Sequence, residues 1–342
     1  MYHVTCNTDD KYAQHCIAML CSLFENNSSE QIKAHILCNN LSEQHKIFIN
    51  HLAQHYNQEV AFYTVNETPL EGVQFRSKRP LSKAAYYRLL LSSILKEVDK
   101  VLYLDCDIIV LGKIKELFDI ELDNYALAAT VDGMPYNNQH QMQLHLPVNN
   151  FCFCSGIMLI NLNYWRKYNI EEKLISFAKR KREPVFLHDQ DVLNYVLRNQ
   201  WFMLPPKWNY NPANIKKSFI FKPYHYADMI HNPCVIHYYS EIFKPWYKAP
   251  CPAGNYYRHY LKLSHYENPH FQTLPIKKYI YSCYYYLRVS LIRLKPLMPQ
   301  LLIIIFTDIF NILRLILYIL SLLISPKSFH KKISKFYEHN RI

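Results

Sequence analysis

Glycine is scarce in this sequence, with five residues among 342, at positions 72, 112, 133, 156 and 254. Loops that hold a pyrophosphate with backbone amides, such as the GxGxxG turn and the P-loop, need several closely spaced glycines. The observed spacing excludes both loops. A nucleotide diphosphate bound by this chain would therefore have to be held by a metal ion and by side chains.

The sequence also lacks the features of an exported or a disordered protein. Its ten cysteines form no CxxC pair and no regular framework, which indicates reduced thiols. The first ten residues, MYHVTCNTDD, contain neither the basic residues nor the apolar run of an export signal, so we expect a cytoplasmic protein. Charged residues make up 19% of the chain and aromatic residues 15%, which argues against disorder.

The excess of positive charge is concentrated near the C-terminus. From Lys277 onward, eleven lysines and arginines face only Asp308 and Glu338, so this segment carries +9 of the formal +12. A nucleic-acid-binding protein would carry its excess on the folded domain that reads the groove, so no nucleic-acid partner is expected. A basic tail rich in aromatic and hydrophobic residues instead indicates peripheral association with an inner membrane surface that contains anionic lipids.

Within this tail, residues 301–324 form an apolar run of 24 residues, long enough to cross a bilayer. Asp308 and Arg314 would lie near the middle of such a span, at a cost of about 2.5 to 3.5 kcal/mol each. Polar residues also recur at spacings of four and three along one helical face. This stripe favours a helix that lies in the membrane plane or packs on a partner, and a spanning helix stays open.

The first two hundred residues alternate short β-branched runs with segments of helical period, the pattern of a mostly parallel sheet covered by helices. The predicted strands lie near residues 2–6, 34–38, 59–65, 101–104, 126–131 and 156–161. A helix over residues 12–27 completes a βαβ unit, a second helix begins after Ser42, and a third covers residues 82–95. Frequent proline, tyrosine and asparagine from about residue 200 predict a long ordered loop over a site.

The strongest local signal is the segment KVLYLDCDIIVLGKI, in which a buried strand runs into Asp105, Cys106 and Asp107. Side chains two residues apart in extended backbone face the same way, so both carboxylates should point to one side while Cys106 turns to the core. Two convergent carboxylates at the carboxyl end of a sheet strand suit a divalent cation. A solvated acidic turn after a strand is the simpler interpretation of so short a motif.

Five segments, taken in order, resemble glycosyltransferase family 8, which contains bacterial lipopolysaccharide galactosyl- and glucosyltransferases and, more distantly, glycogenin. They are CNTDDKYAQH, AAYYRLLL, LYLDCDIIV, CSGIMLINLNYW followed by HDQDVLNYV, and VIHYYSEIFKPW, and they span residues 1 to about 250. The resemblance implies an α/β fold of the GT-A type, a UDP-sugar donor, Mn2+ or Mg2+, and retention of anomeric configuration. We therefore expect a GT-A catalytic domain over residues 1–262 and a helical membrane-associating tail over 263–342.

Matched residue by residue, the resemblance makes Asp105, Asp107 and His237 the metal ligands. It also places Lys244 against the donor diphosphate. An imidazole beside two carboxylates tilts the preference from Mg2+ towards Mn2+. On its own, His237 after the apolar run CVI would be interpreted as a core histidine, and the FKPW segment that follows reverses that interpretation.

The remaining site residues are also implied by the resemblance. Asp9 and Tyr12 match positions that contact uracil, although acidic residues before a helix are equally explained by capping. Arg88 matches an arginine that touches the donor sugar, and without the match it would pass as a surface residue. Asp189 and Gln190 match the pair beside the transferred sugar, and a capped helix start is their simpler explanation.

The sequence departs from the family pattern at Cys154, Lys11 and Ser240, where the family usually has asparagine, asparagine and glycine. These departures put the donor sugar and the shape of the diphosphate loop in doubt. The predicted reaction is transfer of galactose or glucose from a UDP-hexose to a saccharide or lipid-linked saccharide acceptor of lipopolysaccharide or surface polysaccharide. The alternatives are glycogenin-like transfer to a protein and a catalytically inactive, membrane-associated protein that binds UDP-sugars.

Overall fold

A computed structural model describes residues 1–73, 83–132, 151–180, 189–212, 232–241 and 243–294, with side chains to residue 290. The chain divides into two compact units, Met1–Ser282 and Cys283–Ile342. All elements of the first unit given below belong to the described residues.

A seven-stranded sheet forms the centre of the first unit. Four of its strand pairs are parallel and two are antiparallel, so the predicted mostly parallel sheet is confirmed. The strands follow the order β3-β2-β1-β4-β7-β6-β8 across the sheet, and β5 and β9 form a separate two-stranded ladder. Their bounds are β1 Tyr2–Asn7, β2 Ile32–Leu37, β3 Glu59–Tyr63, β4 Lys100–Leu104, β5 Ile108–Val110, β6 Leu127–Val131, β7 Phe153–Asn161, β8 Trp201–Met203 and β9 Val235–His237.

Helices flank the sheet. Their bounds are α1 Ala13–Asn26, α2 Glu43–His55, α3 Leu91–Ile94, α4 Lys115–Phe118, α5 Leu162–Lys167, α6 Ile170–Ala178, α7 Asp189–Val196, α8 Gly254–Leu263 and α9 Ile276–Leu294. Three 3-10 segments cover Thr68–Leu70, Lys83–Leu90 and Pro206–Asn209. The predicted third helix is therefore mainly 3-10 in form and becomes α-helical only at Leu91.

The predicted βαβ unit is confirmed, because β1 pairs with β2 in parallel and α1 connects them. Every residue of α1 from Ala13 to Phe24 is buried, since the helix packs against β5, α2 and α8. A helix that is covered on several sides needs apolar residues all round, which explains the run AQHCIAMLCSLF. This packing fixes the chain that follows β1 against the carboxyl edge of the sheet.

The predicted long loop after residue 200 contains regular structure. β8 extends the sheet beside β6, and β9 pairs antiparallel with β5 in the register Ile108↔His237. Both strands have only three residues, too few for a period-two pattern to be recognised in the sequence. This ladder joins the segment after β4 to a segment more than a hundred residues later.

The predicted in-plane helix at residues 301–324 lies outside the described residues, and the boundary at 262/263 stays a prediction. In the part that is described, α9 is the helix of the predicted tail, and its residues Ile276, Tyr279 and Ile280 are exposed. Among the helices that the structure describes, none has the length and apolarity needed to cross a membrane.

Candidate active site

The acidic pair lies at the carboxyl edge of the central sheet, directly after β4. The chain turns between Leu104 and Ile108, so the predicted extended backbone at Asp105 and Asp107 is wrong. The turn is fixed by the Asp105 amide, which donates to the Gly156 carbonyl at 2.9 Å. Cys106 points inward and is 6% exposed, as predicted. The turn therefore still places both carboxylates on one side, although its backbone conformation differs from the predicted extended one.

His237, the last residue of β9, completes the cluster. Its Nε2 atom lies 3.2 Å from Asp107 Oδ1 and 3.9 Å from Asp105 Oδ2. One potential ligand atom from each of the three residues lies within 4.8 Å of the others. The imidazole is 2% exposed, so it is buried as a core histidine would be, yet it faces two carboxylates.

A second hydrogen bond orients the imidazole. His237 Nδ1 lies 2.9 Å from Asn209 Oδ1, and the Asn209 amide group donates to Thr130 Oγ1 at 2.9 Å. Because the asparagine oxygen can only accept, His237 Nδ1 carries the proton of this bond. The Nε2 atom is then the one available to a cation, which is the arrangement typical of metal-binding histidines.

Asp105 is held through one of its two oxygens. Arg88 Nη2 donates to Asp105 Oδ1 at 2.8 Å, and the Tyr103 hydroxyl donates to the same atom at 2.8 Å. The guanidinium also lies over the Tyr103 ring, 4.4 Å from its centroid. Both donors leave Oδ2 as the oxygen that faces His237. Arg88 is 5% exposed, so it is not the surface residue that it would be without the family match.

Asp107 is held in the same manner by Lys244. The Lys244 ammonium lies 2.5 Å from Asp107 Oδ2, which leaves Oδ1 facing His237. The ammonium also lies 5.4 Å from the centre of the Trp246 ring. That ring stacks on His15 of α1 at 3.6 Å, so α1 helps to fix the segment that carries Lys244.

The Asp107 carboxylate and the His237 imidazole favour each other's charged forms. Burial by itself would lower the pKa of His237, but the neighbouring Asp107 carboxylate raises it to about 10. For Asp107, burial is opposed by Lys244 and His237, which together hold its pKa well below the usual range. The carboxylate is therefore ionised at neutral pH, and the imidazole is protonated beside it. A cation that binds here takes the place of the proton on His237 Nε2.

Gly156 allows the trio to come together. A Cβ atom at this position would lie 2.2 Å from His237 Cε1 and 2.8 Å from Asp105 Oδ2. Every other residue type would therefore push two of the three ligands apart. The scarcity of glycine was apparent from the sequence. The requirement for glycine at position 156 is not, because it arises only from the close approach of His237 on β9 to β7.

Asp189 and Gln190 open α7 next to this cluster. Asp189 Oδ2 lies 3.1 Å from Arg88 Nε, so one guanidinium joins Asp189 to Asp105. Burial raises the pKa of Asp189 to about 6, against the opposing effect of Arg88. The Gln190 amide accepts from the Ser155 backbone amide at 3.0 Å and donates to Asp132 at 2.9 Å. Both side chains are thus fixed in place at the site.

Asp9 and Tyr12 lie at the neighbouring strand end, after β1. Asp9 Oδ1 accepts from the Tyr12 backbone amide at 3.0 Å, within the turn that precedes α1. Tyr12 is 46% exposed, and its ring meets Trp246 edge-on at 6.1 Å. Because β1 and β4 are adjacent and parallel, both residues share the carboxyl edge with the acidic pair.

Sequence reasoning missed five residues whose side chains support the site, namely Tyr103, Thr130, Asp132, Ser155 and Asn209. Tyr103 and Ser155 carried a signal, because Tyr103 lies two residues before Asp105 and Ser155 lies next to Cys154, both within segments that resemble the family. Asn209 is in the 3-10 segment Pro206–Asn209, and nothing in its local sequence marks it as a partner of His237. Cys154, one of the departures from the family pattern, lies 3.9 Å from His237 Nδ1 through its sulfur.

The donor set fits a divalent cation. Asp105 Oδ2, Asp107 Oδ1 and His237 Nε2 converge, and the remaining carboxylate oxygens are occupied by Arg88, Tyr103 and Lys244. Two carboxylates and one imidazole suit Mn2+ better than Mg2+, because Mg2+ prefers ligand sets made of oxygen atoms alone. The space above Gly156 exists only because the residue has no side chain.

The fold and the site together define an α/β protein with two carboxylates and an imidazole clustered at the carboxyl edge of its sheet. Residues 3–249 match the family model described as Glycosyl transferase family 8. The match covers more than half of the chain, so the chain belongs to glycosyltransferase family 8 and is a glycosyltransferase by family.

Curated relatives and solved structures agree with this membership. General stress protein A of Bacillus subtilis is 31% identical over 76% of this chain and 92% of its own length. A lipopolysaccharide 1,2-glucosyltransferase of Escherichia coli is 29% identical over 81% of both chains. The galactosyltransferase LgtC, solved in complex with donor and acceptor sugar analogues, superposes with a TM-score of 0.66 at 22% identity, covering 80% of this chain and 98% of LgtC. The last similarity establishes the GT-A type of fold.

Proposed function

We propose that this protein is a retaining, metal-dependent hexosyltransferase that moves galactose or glucose from a UDP-sugar to a saccharide acceptor in lipopolysaccharide or surface polysaccharide synthesis. The convergence of Asp105, Asp107 and His237 at the sheet edge carries the proposal. The similarity to a lipopolysaccharide 1,2-glucosyltransferase supports the acceptor class. The similarity of fold to a galactosyltransferase that binds donor and acceptor analogues supports a two-substrate site.

The trio would hold Mn2+ or Mg2+, which as a Lewis acid stabilises the negative charge that develops on the departing diphosphate. Lys244 adds a positive charge beside Asp107 and can turn to a diphosphate oxygen. Since the chain has no glycine-rich loop, these side chains must do the work that backbone amides do elsewhere. Asp9 and Tyr12, at the end of β1, are the proposed contacts for the uracil base.

Asp189 and Gln190 are proposed to act on the transferred sugar. With a pKa of about 6, Asp189 is mainly ionised at pH 7 and can accept hydrogen bonds from sugar hydroxyls. Gln190 is a neutral amide held by Ser155 and Asp132, which suits it to stabilise a positively charged anomeric centre without bonding to it. These properties favour attack of the acceptor on the front face, assisted by the leaving phosphate. Arg88 acts as the positioning residue that joins Asp189 to Asp105.

The exposed surface of α9 supports the proposal of a peripheral membrane tail. Ile276, Tyr279 and Ile280 recur at helical spacing and are exposed, and Lys277 and Lys278 lie between them. Apolar residues flanked by lysines are typical of helices that lie on anionic membranes. A variant that lacks residues 277–342 should no longer pellet with vesicles containing anionic lipid. Continued sedimentation of this shortened protein would contradict the tail assignment.

The test of the transferase proposal is release of UDP from a panel of UDP-sugars, measured with and without Mn2+. The wild-type protein should release UDP from UDP-galactose or UDP-glucose only with the metal, and Asp107→Ala should lose about a hundred- to a thousandfold in rate, as expected for removal of a principal electrostatic contact. Asp119→Ala is the matched control, because Asp119 is exposed and, among the residues that the structure describes, its carboxylate pairs with Lys115 alone. Absence of turnover with every donor, despite UDP-sugar binding, would instead support an inactive binding protein.

A further inference from the structure

Three cysteines come together directly beneath the acidic turn. Cys6 lies on β1, Cys16 on α1 and Cys106 between the two aspartates. Cys6 Sγ and Cys16 Sγ are 3.6 Å apart, within contact distance for two thiols. All three sulfurs lie within 4.8 Å of one another. Three separate elements of the fold therefore deliver one sulfur each to the same point.

We propose that this cluster is a binding site for a single thiophilic cation, with Cu(I) as the ion that a three-sulfur set fits best. An ion about 2.3 Å from each of three sulfurs, the metal–sulfur distance known for zinc thiolates, spaces those sulfurs about 4.0 Å apart. The observed spacing of 3.6 Å for one pair, and of at most 4.8 Å for the others, is compatible with this value. The cluster therefore needs little movement to receive such an ion.

The surroundings of the cluster select a soft ion over a hard one. Cys6 is 1% exposed, Cys16 is fully buried, and Cys106 is 6% exposed. Thiolates favour Cu(I) and zinc, whereas carboxylates and carbonyls favour magnesium, calcium and manganese. Structural zinc almost always takes four ligands, while only three cysteines meet at this point within the described part of the chain. The chain thus places a soft-ion site and a hard-ion site side by side.

Cys106 couples the two sites. It lies between Asp105 and Asp107, and its thiol also donates to the Asn7 carbonyl at 3.1 Å. An ion bound by the three sulfurs would fix the turn that carries both carboxylates. The bound thiolates would also place additional negative charge beneath the divalent site. Fixing of the turn and the added negative charge both favour the divalent ion, so the soft ion should strengthen its binding. By linkage, the divalent ion should strengthen binding of the soft ion to the same degree.

The experiment titrates the full-length protein with Cu(I) in the absence of oxygen, in competition with a chromophoric Cu(I) chelator. The wild-type protein should take up one tightly bound equivalent, whereas Cys16→Ala and Cys6→Ala should lose at least a hundredfold in affinity. Cys21→Ala is the matched control, because Cys21 is a buried thiol of the same helix outside the cluster. Equal affinity in all four proteins would overturn the proposal, and so would tighter binding of Zn2+ than of Cu(I).

Copper X-ray absorption on the wild-type protein keeps the test decisive if an alanine variant fails to fold. Three sulfur scatterers support the cluster, and two sulfurs, the number from a chance pair of thiols, overturn it. The coupling is read from Mn2+ affinity by electron paramagnetic resonance, to which Cu(I) is silent. Loading with Cu(I) should tighten Mn2+ binding at least threefold in the wild-type protein and not in Cys16→Ala. An unchanged Mn2+ affinity in loaded wild-type protein would refute the coupling, and neither readout depends on turnover of a sugar donor.

Discussion

Replacement of Gly156 by alanine tests the proposed metal site most directly. The added Cβ would lie 2.2 Å from His237 Cε1, whereas carbon atoms in contact are about 3.5 Å or more apart. The imidazole or the backbone must therefore move by more than about 1 Å, although metal–ligand distances tolerate deviations of only about 0.2 Å. Asp105 Oδ2, which would lie 2.8 Å from the new atom, must also shift.

We expect two separate effects of Gly156→Ala. Overpacking should lower the free energy of unfolding by about 1 to 3 kcal/mol. Displacement of two ligands should weaken Mn2+ binding by at least about a hundredfold, the upper end of the range seen when a supporting group is lost. Isothermal titration with Mn2+ measures the second effect, and urea unfolding measures the first.

Gly112→Ala is the control that separates the two effects. Its Cβ would lie 2.6 Å from Cys234 Cβ, a comparable clash at the opposite end of the β5–β9 ladder. This variant should be destabilised to a similar degree but should keep its Mn2+ affinity within about threefold. The reasoning is refuted if Gly156→Ala binds Mn2+ as well as the wild-type protein, or if both variants lose binding equally.

Two further predictions concern residues that support the site, and a third concerns His35, which is buried on β2. Tyr103→Phe removes one of the two donors to Asp105 Oδ1 and should weaken Mn2+ binding by about tenfold without loss of folding, which calorimetric titration and circular dichroism would check. Asn209→Ala removes the acceptor that orients His237 and should weaken Mn2+ binding by about 10- to 100-fold in the same titration. An unchanged Mn2+ dissociation constant would contradict the assignment of a proton to His237 Nδ1. Burial lowers the pKa of His35 to about 4 from its ordinary 6.5, so the unfolded chain takes up this proton before the folded chain does as pH falls. The free energy of unfolding should therefore decline between pH 6.5 and 4, by up to about 1.4 kcal/mol per pH unit. Urea unfolding of His35→Gln should show a smaller decline over the same range.

The three residues of the proposed metal site could be picked out from the sequence because they lie in recognisable segments. Asp105 and Asp107 follow an apolar strand, and His237 precedes a segment typical of the family. Their convergence is a matter of register, since His237 reaches the aspartates only because it stands opposite Ile108 in a three-residue ladder. No local pattern encodes that pairing, and chain segments more than a hundred residues apart must meet to form it.

The sequence was less informative about side chains that position other side chains. Lys244 was predicted as a diphosphate contact, but its ion pair with Asp107 emerges only from the structure. Arg88 is similar, because its guanidinium bridges Asp105 and Asp189 in the buried interior. Helical periodicity identified the segment around Arg88, but did not distinguish the 3-10 geometry of Lys83–Leu90 from an α-helix. Such distinctions arise from tertiary packing rather than from propensity.

The pairing of β5 with β9 has a consequence for biosynthesis. Domains generally fold as units, and the unit Met1–Ser282 contains both strands. The acidic turn is translated more than a hundred residues before His237. The proposed metal site can therefore be completed only after β9 has left the ribosome and paired with β5. A chain that stops before β9 would offer the ion two carboxylates without the imidazole.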